Sequence, residues 1–531
     1  MSEHTRRQVL RTAAVAAGLA AAQTVVAPAA AVASPPAGGC PPPMGPVTVT
    51  PTDVRYPELV RGRNIRYVAS PDYVRVVGST NQVVQAVDDA VRTGKRVVVR
   101  SGGHCMSDFV DNPAVQVIID LAGMTQVYFD PARNAFAVEA GATLAEVYRR
   151  LFYGWGVTVP GGLCPMVGVG GHIAGGGYGV LSREYGLVVD HLDAVEVVVV
   201  DRRGRAKAVV ATRDPADPHR DLWWAHTGGG GGNFGIVTRF WLRTPGVTGT
   251  DPGTLLPPAP ATILDYSCSW PWDGMDEQRF ARLVRNYGRW CEENAAPGLA
   301  SSRLYSALDL FRQQNGAHSL FGQVFGPGAE RLLDNFIAAL SDGVGPPQDV
   351  RKEWKPWMTA VLGGSDASQI FRFRMKSGYL RSRFTEGQVS TIYQQLTRPG
   401  NEGLIGSVGL GSYGGKINTV PSTATATATR NAVIIVSYLA AWTDPALDAA
   451  HDAWSRDFYR NVYAGTGGVP DPLDGAYVNY PDNDLADPAI NRSGVPWSTL
   501  YYKGNYPRLQ RIKADYDPLN VFHHALAVRP A

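Results

Sequence analysis

Cysteine is scarce in this sequence, since the 531 residues include only five. So few cysteines in so long a chain exclude a disulfide-rich scaffold, and their odd number leaves at least one unpaired within the monomer. The chain also has no Cys-x-x-Cys pair and no His-Glu-x-x-His motif, so we expect no metal site. Cys268 and Cys291 can still form one disulfide, a question that the sequence leaves open.

Two nucleotide-binding signatures are missing as well. There is no Gly-Lys-Ser/Thr phosphate loop, and Gly168-Val-Gly-Gly171 lacks the third glycine at the spacing that a Rossmann fingerprint requires. Charge of one sign is also lacking, because the formal net charge is only +3. A balance so close to neutral gives no indication of nucleic acid or an anionic membrane as a partner.

The only long run of small apolar residues lies at the N-terminus, after the pair Arg6-Arg7. A charged start, a short apolar run and small residues at 29–33 are typical of an export signal and not of a membrane span. The paired arginines favour the twin-arginine route; an ordinary secretory signal with an incidental arginine pair is the alternative. We therefore expect residues 1–33 to be the signal, the twin-arginine machinery to be a partner and the mature protein to be secreted.

Glycine, by contrast, is abundant, and two glycine-rich loops each follow an apolar, strand-like run. One is Arg100-Ser-Gly-Gly-His104 and the other is Pro160-Gly-Gly-Leu-Cys164. Glycine allows close backbone approach to a ligand and tolerates positive φ, and successive backbone N–H groups can bind a pyrophosphate without a lysine. The two loops predict a site for a large, flat ligand, with a nucleophilic nitrogen and a nucleophilic sulfur beside it.

The order of predicted elements indicates an α+β protein. Helical spacing predicts a helix near 81–93, and Thr143 with Glu146 forms a capping box for a helix that begins at Leu144. We expect residues 40–245 to form a cofactor domain and residues 246–465, after a proline-rich boundary, to cover the substrate. The Ser/Thr/Ala-rich stretch from Ser422 to Thr429 predicts a surface loop.

Six separated motifs carry a resemblance to a known family. In order, they occupy residues 100–104, 161–179, 228–238, 413–416, 479–480 and 501–522. This order resembles the berberine bridge enzyme-like branch of FAD-linked oxidases over nearly the whole chain after the signal. The resemblance implies an FAD-binding domain of the vanillyl-alcohol oxidase type, completed by residues 466–531, and a substrate domain with an antiparallel sheet backed by helices.

The same resemblance assigns FAD as the cofactor, joined covalently through both His104 and Cys164. The alternative for these two residues is a loop histidine that caps a backbone group and a buried thiol. Cys105 is expected to point away from the ring in a structural role. The other cofactor-binding residues that the resemblance implies are Arg100, Ser101, Gly102, Gly103, Ser107, Val169, Gly170, Gly171, His172, Gly175, Gly176, Gly179, Val237 and Asn505.

Three tyrosines match catalytic positions of the family. Tyr480 matches the base that removes the alcohol proton, and Tyr413 and Tyr178 match positions near the flavin ring. A tyrosine base needs a neighbour that stabilises the phenolate, because the ordinary pKa of a phenol is about 10. The alternative for each tyrosine is packing. The plant alkaloid enzymes have a carboxylate after Gly-Gly-Lys, but none follows Lys416 here, which favours alcohol oxidation.

The expected activity is oxidation of a secondary alcohol on a sugar of a polyketide glycoside of the anthracycline type, with O2 reduced to H2O2. A free oligosaccharide oxidase with the same chemistry is the enzymatic alternative. A flavin-carrying protein that binds an antibiotic without turning it over is an alternative of another class.

Overall fold

A computed structural model describes residues 44–363 and 371–531. Within these ranges a first sheet has the order β1-β2-β4-β3, in which β1 runs antiparallel to β2 and the other pairs are parallel. Its strands, β1 to β4 in chain order, are Val47–Val49, Tyr73–Val76, Val97–Arg100 and Val117–Asp120. β3 ends at Arg100, so the first glycine loop leaves the sheet at this edge. The predicted signal, residues 1–33, lies outside the described residues.

A second, antiparallel sheet has the order β5-β6-β9-β7-β8. Its strands, β5 to β9 in chain order, are Val127–Asp130, Ala135–Glu139, Leu192–Val200, Ala206–Thr212 and Ile236–Leu242. Most side chains of β7 are buried, as β-branched residues on a covered sheet surface are expected to be. β9 begins directly after the glycine run at 228–235, so this sheet positions the run.

A third sheet is antiparallel throughout and has the order β13-β10-β12-β11-β15-β16-β14. Its strands, β10 to β16 in chain order, are Thr262–Pro271, Leu304–Phe311, Ala317–Val324, Gln348–Pro356, Arg372–Leu380, Ile405–Ser412 and Ile434–Trp442. Helices pack against this sheet. One face of the sheet looks into the cavity described below. The predicted α+β class, with an antiparallel sheet backed by helices, is therefore confirmed.

Thirteen α-helices complete the described part of the chain. They are Tyr56–Leu59, Thr80–Arg92, Leu144–Trp155, Val169–Ala174, Ser182–Tyr185, Arg220–Ala225, Glu277–Glu293, Ala329–Ser341, Trp357–Leu362, Glu386–Thr397, Asp448–Val462, Trp497–Tyr502 and Tyr506–Tyr516, numbered α1 to α13. The predicted capping box of α3 is present. No helix in these ranges is long and apolar enough to cross a membrane.

The C-terminal segment returns to the glycine run. Lys513 Nζ donates a hydrogen bond to the carbonyl of Asn233 (2.6 Å), and the Tyr502 hydroxyl donates to the carbonyl of Gly229 (2.9 Å). The described residues from 44 onward form one compact unit. The boundaries at 245 and 465 therefore stay predictions.

Two expectations need comment. The stretch from Ser422 to Thr429 is only partly a surface loop, because its second half, from Thr425, is mostly buried. The buried side chain of Asn505 donates to the carbonyls of Ser422 and Thr425 and so holds the stretch inward. Cys268 and Cys291 are buried free thiols, so the disulfide that the sequence left open is not formed.

Candidate functional site

A cavity of about 1090 Å³ lies between the glycine loops and the open face of the third sheet. Loop residues 100–106, 162–164, 167–168 and 170–172 line one side, and the glycine run at 230–233 continues that side. Residues from β10 to β16 line the other side. The volume slightly exceeds the range of about 300–1,000 Å³ that is usual for small-molecule sites.

The two predicted loops meet. A Cβ added to Gly102 would lie 2.3 Å from the backbone nitrogen of Gly168, so only glycine permits this approach. The hydroxyl of Ser101 joins the loops further, because it donates to the carbonyl of Ala140 (2.6 Å) and accepts from the N–H of Gly170 (3.3 Å). His104 and Cys164 consequently line the same cavity.

The protonation states in the first loop differ from those of exposed side chains. Burial, with a contribution from the charge of Arg63, lowers the pKa of His104 to about 4. The imidazole is therefore neutral at pH 7 and has a free electron pair. Burial raises the pKa of Cys105 to about 12, so this residue stays a thiol. Cys105 is also among the residues around the cavity, and its orientation relative to the flavin ring stays a prediction.

The second loop is held by His172, on α4. Its Nε2 accepts a hydrogen bond from the N–H of Gly162 (3.2 Å). Burial lowers the pKa of His172 to about 4, so Nε2 stays available as an acceptor. A Cβ on Gly179 would lie 1.6 Å from the carbonyl oxygen of Gly161, which shows how closely the chain returns to the loop.

Most of the predicted site residues line this cavity. They are His104, Cys164, Arg100, Ser101, Gly102, Gly103, Gly170, Gly171, His172, Gly179, Val237, Tyr178 and Tyr480. Arg100 has an additional role, because its guanidinium forms an ion pair with Asp120 (2.6 Å) and donates to the carbonyl of Leu59 (2.7 Å). Its charge is thus already neutralised within the protein.

Six predicted residues lie behind the cavity wall instead: Ser107, Val169, Gly175, Gly176, Asn505 and Tyr413. Ser107 donates to the carbonyl of Pro481 (2.9 Å). A Cβ on Gly175 would lie 1.9 Å from Oδ1 of Asn479. Asn505 binds the carbonyls at 422–426. These residues shape the wall, and the structure gives them no surface on the cavity.

The three predicted catalytic tyrosines differ in how deeply they are buried. Tyr480 is half-buried at the cavity, with its ring edge-on to Tyr477 at 5.2 Å. Tyr178 also lines the cavity, but its hydroxyl donates to the carbonyl of Ser412 (2.5 Å). Tyr413 is fully buried behind Tyr178, with the ring centres 5.3 Å apart. Tyr178 and Tyr480 both line the cavity, but the Tyr178 hydroxyl is bound to a backbone carbonyl. Among the described residues, the Tyr480 hydroxyl has no such bond.

The electrostatics around Tyr480 differ from the expectation. Burial raises its pKa, and the negative charge of Asp309 raises it further. Asp309 lies on β11 between Tyr305 and Phe311, and alternation along a strand places all three on one face. Burial raises the pKa of Asp309 itself to about 6. The charged neighbour of Tyr480 is thus an acid that disfavours the phenolate, not a group that stabilises it.

Sequence reasoning missed the residues that the third sheet contributes. Tyr305 lines the cavity 6.3 Å from the ring of Tyr178, and Asp309 is two positions from the cavity residue Phe311. Neither lies in a motif. The only signal was an alternating pattern in residues 304–311, which indicates a strand but not which face meets the cofactor loops.

The face that the third sheet presents to the cavity has two parts. On β10, β12 and β13 it carries polar groups beside Phe321: Asp265 Oδ2 accepts from Gln323 Nε2 (3.4 Å) and lies 3.7 Å from Lys355 Nζ. Towards β16 and β14 it is apolar, with Phe311, Phe373, Met375, Leu439 and Ala441. An amphipathic molecule matches such a surface.

The loop side fits a flavin dinucleotide. A Cβ added to Gly171 would meet no atom within 4 Å, and one on Gly231 would meet only the Cα of Gly171, at 3.8 Å. Bare backbone therefore faces an open space here, as a pyrophosphate requires. Nearby, the buried Oδ1 of Asp111 has no hydrogen-bond partner among the described residues, and a buried acceptor of this kind calls for a donor from a ligand.

Comparison with known families agrees with this geometry. The FAD binding domain family matches residues 71–206, and the berberine and berberine-like family matches residues 476–529. The chain is also 52% identical to the aclacinomycin-N/aclacinomycin-A oxidase of Streptomyces galilaeus, over 91% of this chain and 90% of that protein. The chain belongs to the berberine bridge enzyme-like family. It is accordingly an FAD-dependent oxidoreductase.

Two further proteins are similar to this chain over most of its length. The crystal structure of the glycopeptide hexose oxidase DBV29 complexed with teicoplanin superposes with a TM-score of 0.89, at 51% identity, over 92% of this chain and all of that one. The hexose oxidase of Chondrus crispus is 30% identical over 88% of this chain and 92% of its own length. The predicted family and fold are confirmed.

Proposed function

We propose that the protein is a secreted oxidase that holds FAD through both His104 and Cys164. Its substrate is a secondary alcohol on a sugar of a polyketide glycoside, and O2 is reduced to H2O2. One observation carries the proposal: the imidazole of His104, the thiol of Cys164 and the hydroxyl-bearing ring of Tyr480 line one cavity. These are the groups that tethering and alcohol oxidation require.

Double attachment is supported by the state and placement of the two side chains. The neutral imidazole of His104 is nucleophilic at pH 7, and the contact between Gly102 and Gly168 brings the two loops to the same end of the cavity. When bound, FAD would accept the hydride from the carbinol carbon and be reoxidised by O2, with H2O2 as the product. Covalent attachment would retain the cofactor after export.

Tyr480 is the proposed base for the alcohol proton. It faces the cavity between the loops and the third sheet. Tyr305 and Tyr178 flank the same space and orient the sugar ring. The reaction removes two hydrogens from the alcohol, so the proton goes to Tyr480 while the hydride leaves from the carbon.

The substrate class is supported by the divided face of the third sheet. Asp265 and Lys355 offer hydrogen bonds to sugar hydroxyl groups, while Phe311 and Leu439 suit a flat apolar aglycone. Two relatives are named as an aclacinomycin oxidase and a glycopeptide hexose oxidase. Such names agree with a sugar that is attached to a large antibiotic scaffold.

The attachment is tested by intact mass spectrometry of the purified protein under denaturing conditions. We expect the mass of one FAD on the wild type, on His104→Ala and on Cys164→Ala, and none on the double variant. Loss of the FAD mass in either single variant would reduce the proposal to one tether. FAD that is absent even from the wild type after denaturation would refute covalent attachment.

The substrate is tested by oxygen consumption and peroxide formation with two panels, anthracycline glycosides and free cello- and malto-oligosaccharides. The 30% identity to a hexose oxidase keeps the second panel as the specific alternative. A higher kcat/KM for the free sugars would favour that alternative. If no compound bleaches the flavin under anaerobic conditions, the alternative of a flavin-carrying protein that binds an antibiotic without oxidising it would be favoured.

Export is proposed from the sequence of residues 1–33. Replacing Arg6 and Arg7 by lysine is expected to leave the protein in the cytoplasm with its cofactor loaded, because twin-arginine export takes folded proteins. Unchanged secretion of the Lys-Lys variant would favour an ordinary secretory signal.

A further inference from the structure

The residues that follow Tyr480 are hydrogen-bonded to the loop that carries His104. The hydroxyl of Ser107 donates to the carbonyl of Pro481 (2.9 Å), and Nδ2 of Asn483 donates to Oδ1 of Asp108 (2.5 Å). Ser107 is 5% exposed, so its hydroxyl has little access to water as an alternative partner. Two successive loop residues therefore contact two residues just beyond the proposed base.

The same segment is bound from the opposite side by β14. Nζ of Lys376 forms ion pairs with Asp482 (2.6 Å) and Asp484 (2.7 Å). All three side chains are almost completely buried. The backbone N–H of Asp482 also donates to the hydroxyl of Tyr501 (3.0 Å). The chain beyond Tyr480 is thus fixed by charge as well as by hydrogen bonds.

Asn64 connects the two sides. It is 1% exposed, and its Nδ2 donates to the carbonyl of Met106 (3.2 Å) and to that of Phe373 (3.0 Å). Its Oδ1 accepts from the N–H of Phe373 (3.2 Å). The His104 loop, β14 and the segment after Tyr480 therefore form one closed junction of buried polar contacts.

We propose that Ser107 is a positioning residue for Tyr480. Its hydrogen bond couples the position of the base to the loop that carries the flavin tether. Pro481 restricts the backbone directly after Tyr480, so a hydrogen bond at its carbonyl sets where the tyrosine ring enters the cavity. A base displaced by about 1 Å can slow a reaction about 100-fold. The inference rests on the proposed function, because it takes Tyr480 to be the base.

Ser107→Ala tests this role by anaerobic stopped-flow measurement of flavin reduction by an anthracycline glycoside. We expect the limiting rate constant to fall about 10- to 100-fold, while the glycoside concentration that gives half of the limiting rate, the flavin-to-protein absorbance ratio and the visible spectrum stay unchanged. Ser107→Thr retains the hydroxyl and is expected to restore the rate. Ser341→Ala is the matched control, because its hydroxyl also donates to a backbone carbonyl (Ile337, 2.8 Å) but lies on α8, away from the cavity.

A double-mutant cycle decides whether Ser107 acts through Tyr480. In a Tyr480→Phe background, Ser107→Ala is expected to cause no further loss of rate, because the base that it positions is already absent. Independent, multiplicative losses would overturn the proposal, as would a changed flavin content or spectrum in Ser107→Ala, which would indicate a cofactor contact. A normal rate in Ser107→Ala with a slow Tyr480→Phe would overturn this proposal alone. A normal rate in Tyr480→Phe would refute the proposed role of Tyr480 as the base, and the role of Ser107 with it, while the oxidation of the glycoside itself would stand.

Discussion

Gly102 and Gly168 approach each other so closely that a Cβ on Gly168 would lie 2.1 Å from the backbone nitrogen of Gly102. Real side chains cannot occupy such a position, so this contact allows only hydrogen on both α-carbons. The two residues belong to different loops, 66 positions apart. Their contact is what brings His104 and Cys164 to one cavity.

Gly168→Ala is therefore expected to separate the loops. The added methyl group would overpack the contact and lower the free energy of unfolding by about 1–3 kcal/mol. Because His104 and Cys164, the two proposed tethers, would move apart, we also expect less covalently bound FAD, measured by the absorbance of the denatured protein. Gly154→Ala is the matched control: Gly154 lies within α3 with nothing within 4 Å of an added Cβ, and alanine there is expected to stabilise the helix slightly. Equal FAD content in both variants would argue against a role for the contact.

Asp309→Asn is expected to shift the pH profile of alcohol oxidation to lower pH. Burial and the charge of Asp309 both raise the pKa of Tyr480, so the amount of phenolate increases when the carboxylate is removed. We expect the alkaline rise of kcat/KM to move down by up to about one pH unit, equivalent to about 1.4 kcal/mol. The two profiles are expected to converge below about pH 6, where Asp309 in the wild type takes up a proton. A shift to higher pH would contradict this interpretation.

Lys376→Met is expected to destabilise the protein strongly. The substitution leaves Asp482 and Asp484 buried with fewer cations, and removal of one partner from a buried ion pair costs about 3–5 kcal/mol. Urea denaturation measures the loss. Lys352→Met is the control, since its pair with Asp334 is partly exposed and such pairs contribute about 1 kcal/mol or less. Losses of similar size in the two variants would show that burial of the Lys376 cluster is unimportant.

Acid is expected to act on the same cluster. Burial opposes ionisation of Asp484, but Lys376, Arg456 and Arg374 outweigh it and hold the pKa of the carboxyl well below its usual value. The lowered pKa stabilises the folded protein above pH 4 or so, the ordinary pKa of an aspartate. This stabilisation is lost as the pH falls further. Asp484→Asn is expected to make the unfolding free energy less dependent on pH in that range, and an unchanged dependence would count against the cluster.

Asp265→Leu is expected to weaken substrate binding without slowing the chemical step. Asp265 lines the polar part of the third sheet, and a hydrogen bond to a charged group contributes about 1.5–3 kcal/mol. KM for a glycoside is therefore expected to rise about 10-fold or more, with kcat within a factor of two or so. The control is Asp334→Leu on α8, outside the cavity. A fall in kcat with an unchanged KM would show that Asp265 acts on the reaction and not on binding.

Helices α2 and α3 could be predicted from the sequence because the residues that specify each helix lie within or next to it. The capping pair Thr143 and Glu146 begins α3 as predicted, and the apolar spacing near 81–93 corresponds to α2 at Thr80–Arg92. The first glycine loop could be predicted for the same reason, since it follows the apolar strand β3; the loop at 160–164 follows α3 and only an isolated bridge at Val157, so the strand expected before it is absent from the described residues. By contrast, the burial of Thr425 depends on Asn505, which is 80 positions away.

The roles of Ser107 and Asp309 show the limit of motif reasoning. Ser107 lies three residues after His104 and matches a cofactor position, yet its hydroxyl bonds to Pro481, 374 positions along the chain. Asp309 belongs to no motif, and its effect on Tyr480 arises only because β11 faces the loops across the cavity. Neither partner can be identified from residue type and spacing.

The sequence by itself determined the family and the cofactor class, and it suggested the two side chains that we propose as flavin tethers, because these depend on residue types at fixed spacing within single loops. Only the tertiary structure decided which predicted residues reach the cavity and which support it from behind. It also decided that the charged neighbour of Tyr480 is an acid. Such outcomes depend on the packing of distant strands and loops, where a shift of one residue turns a side chain to the opposite face.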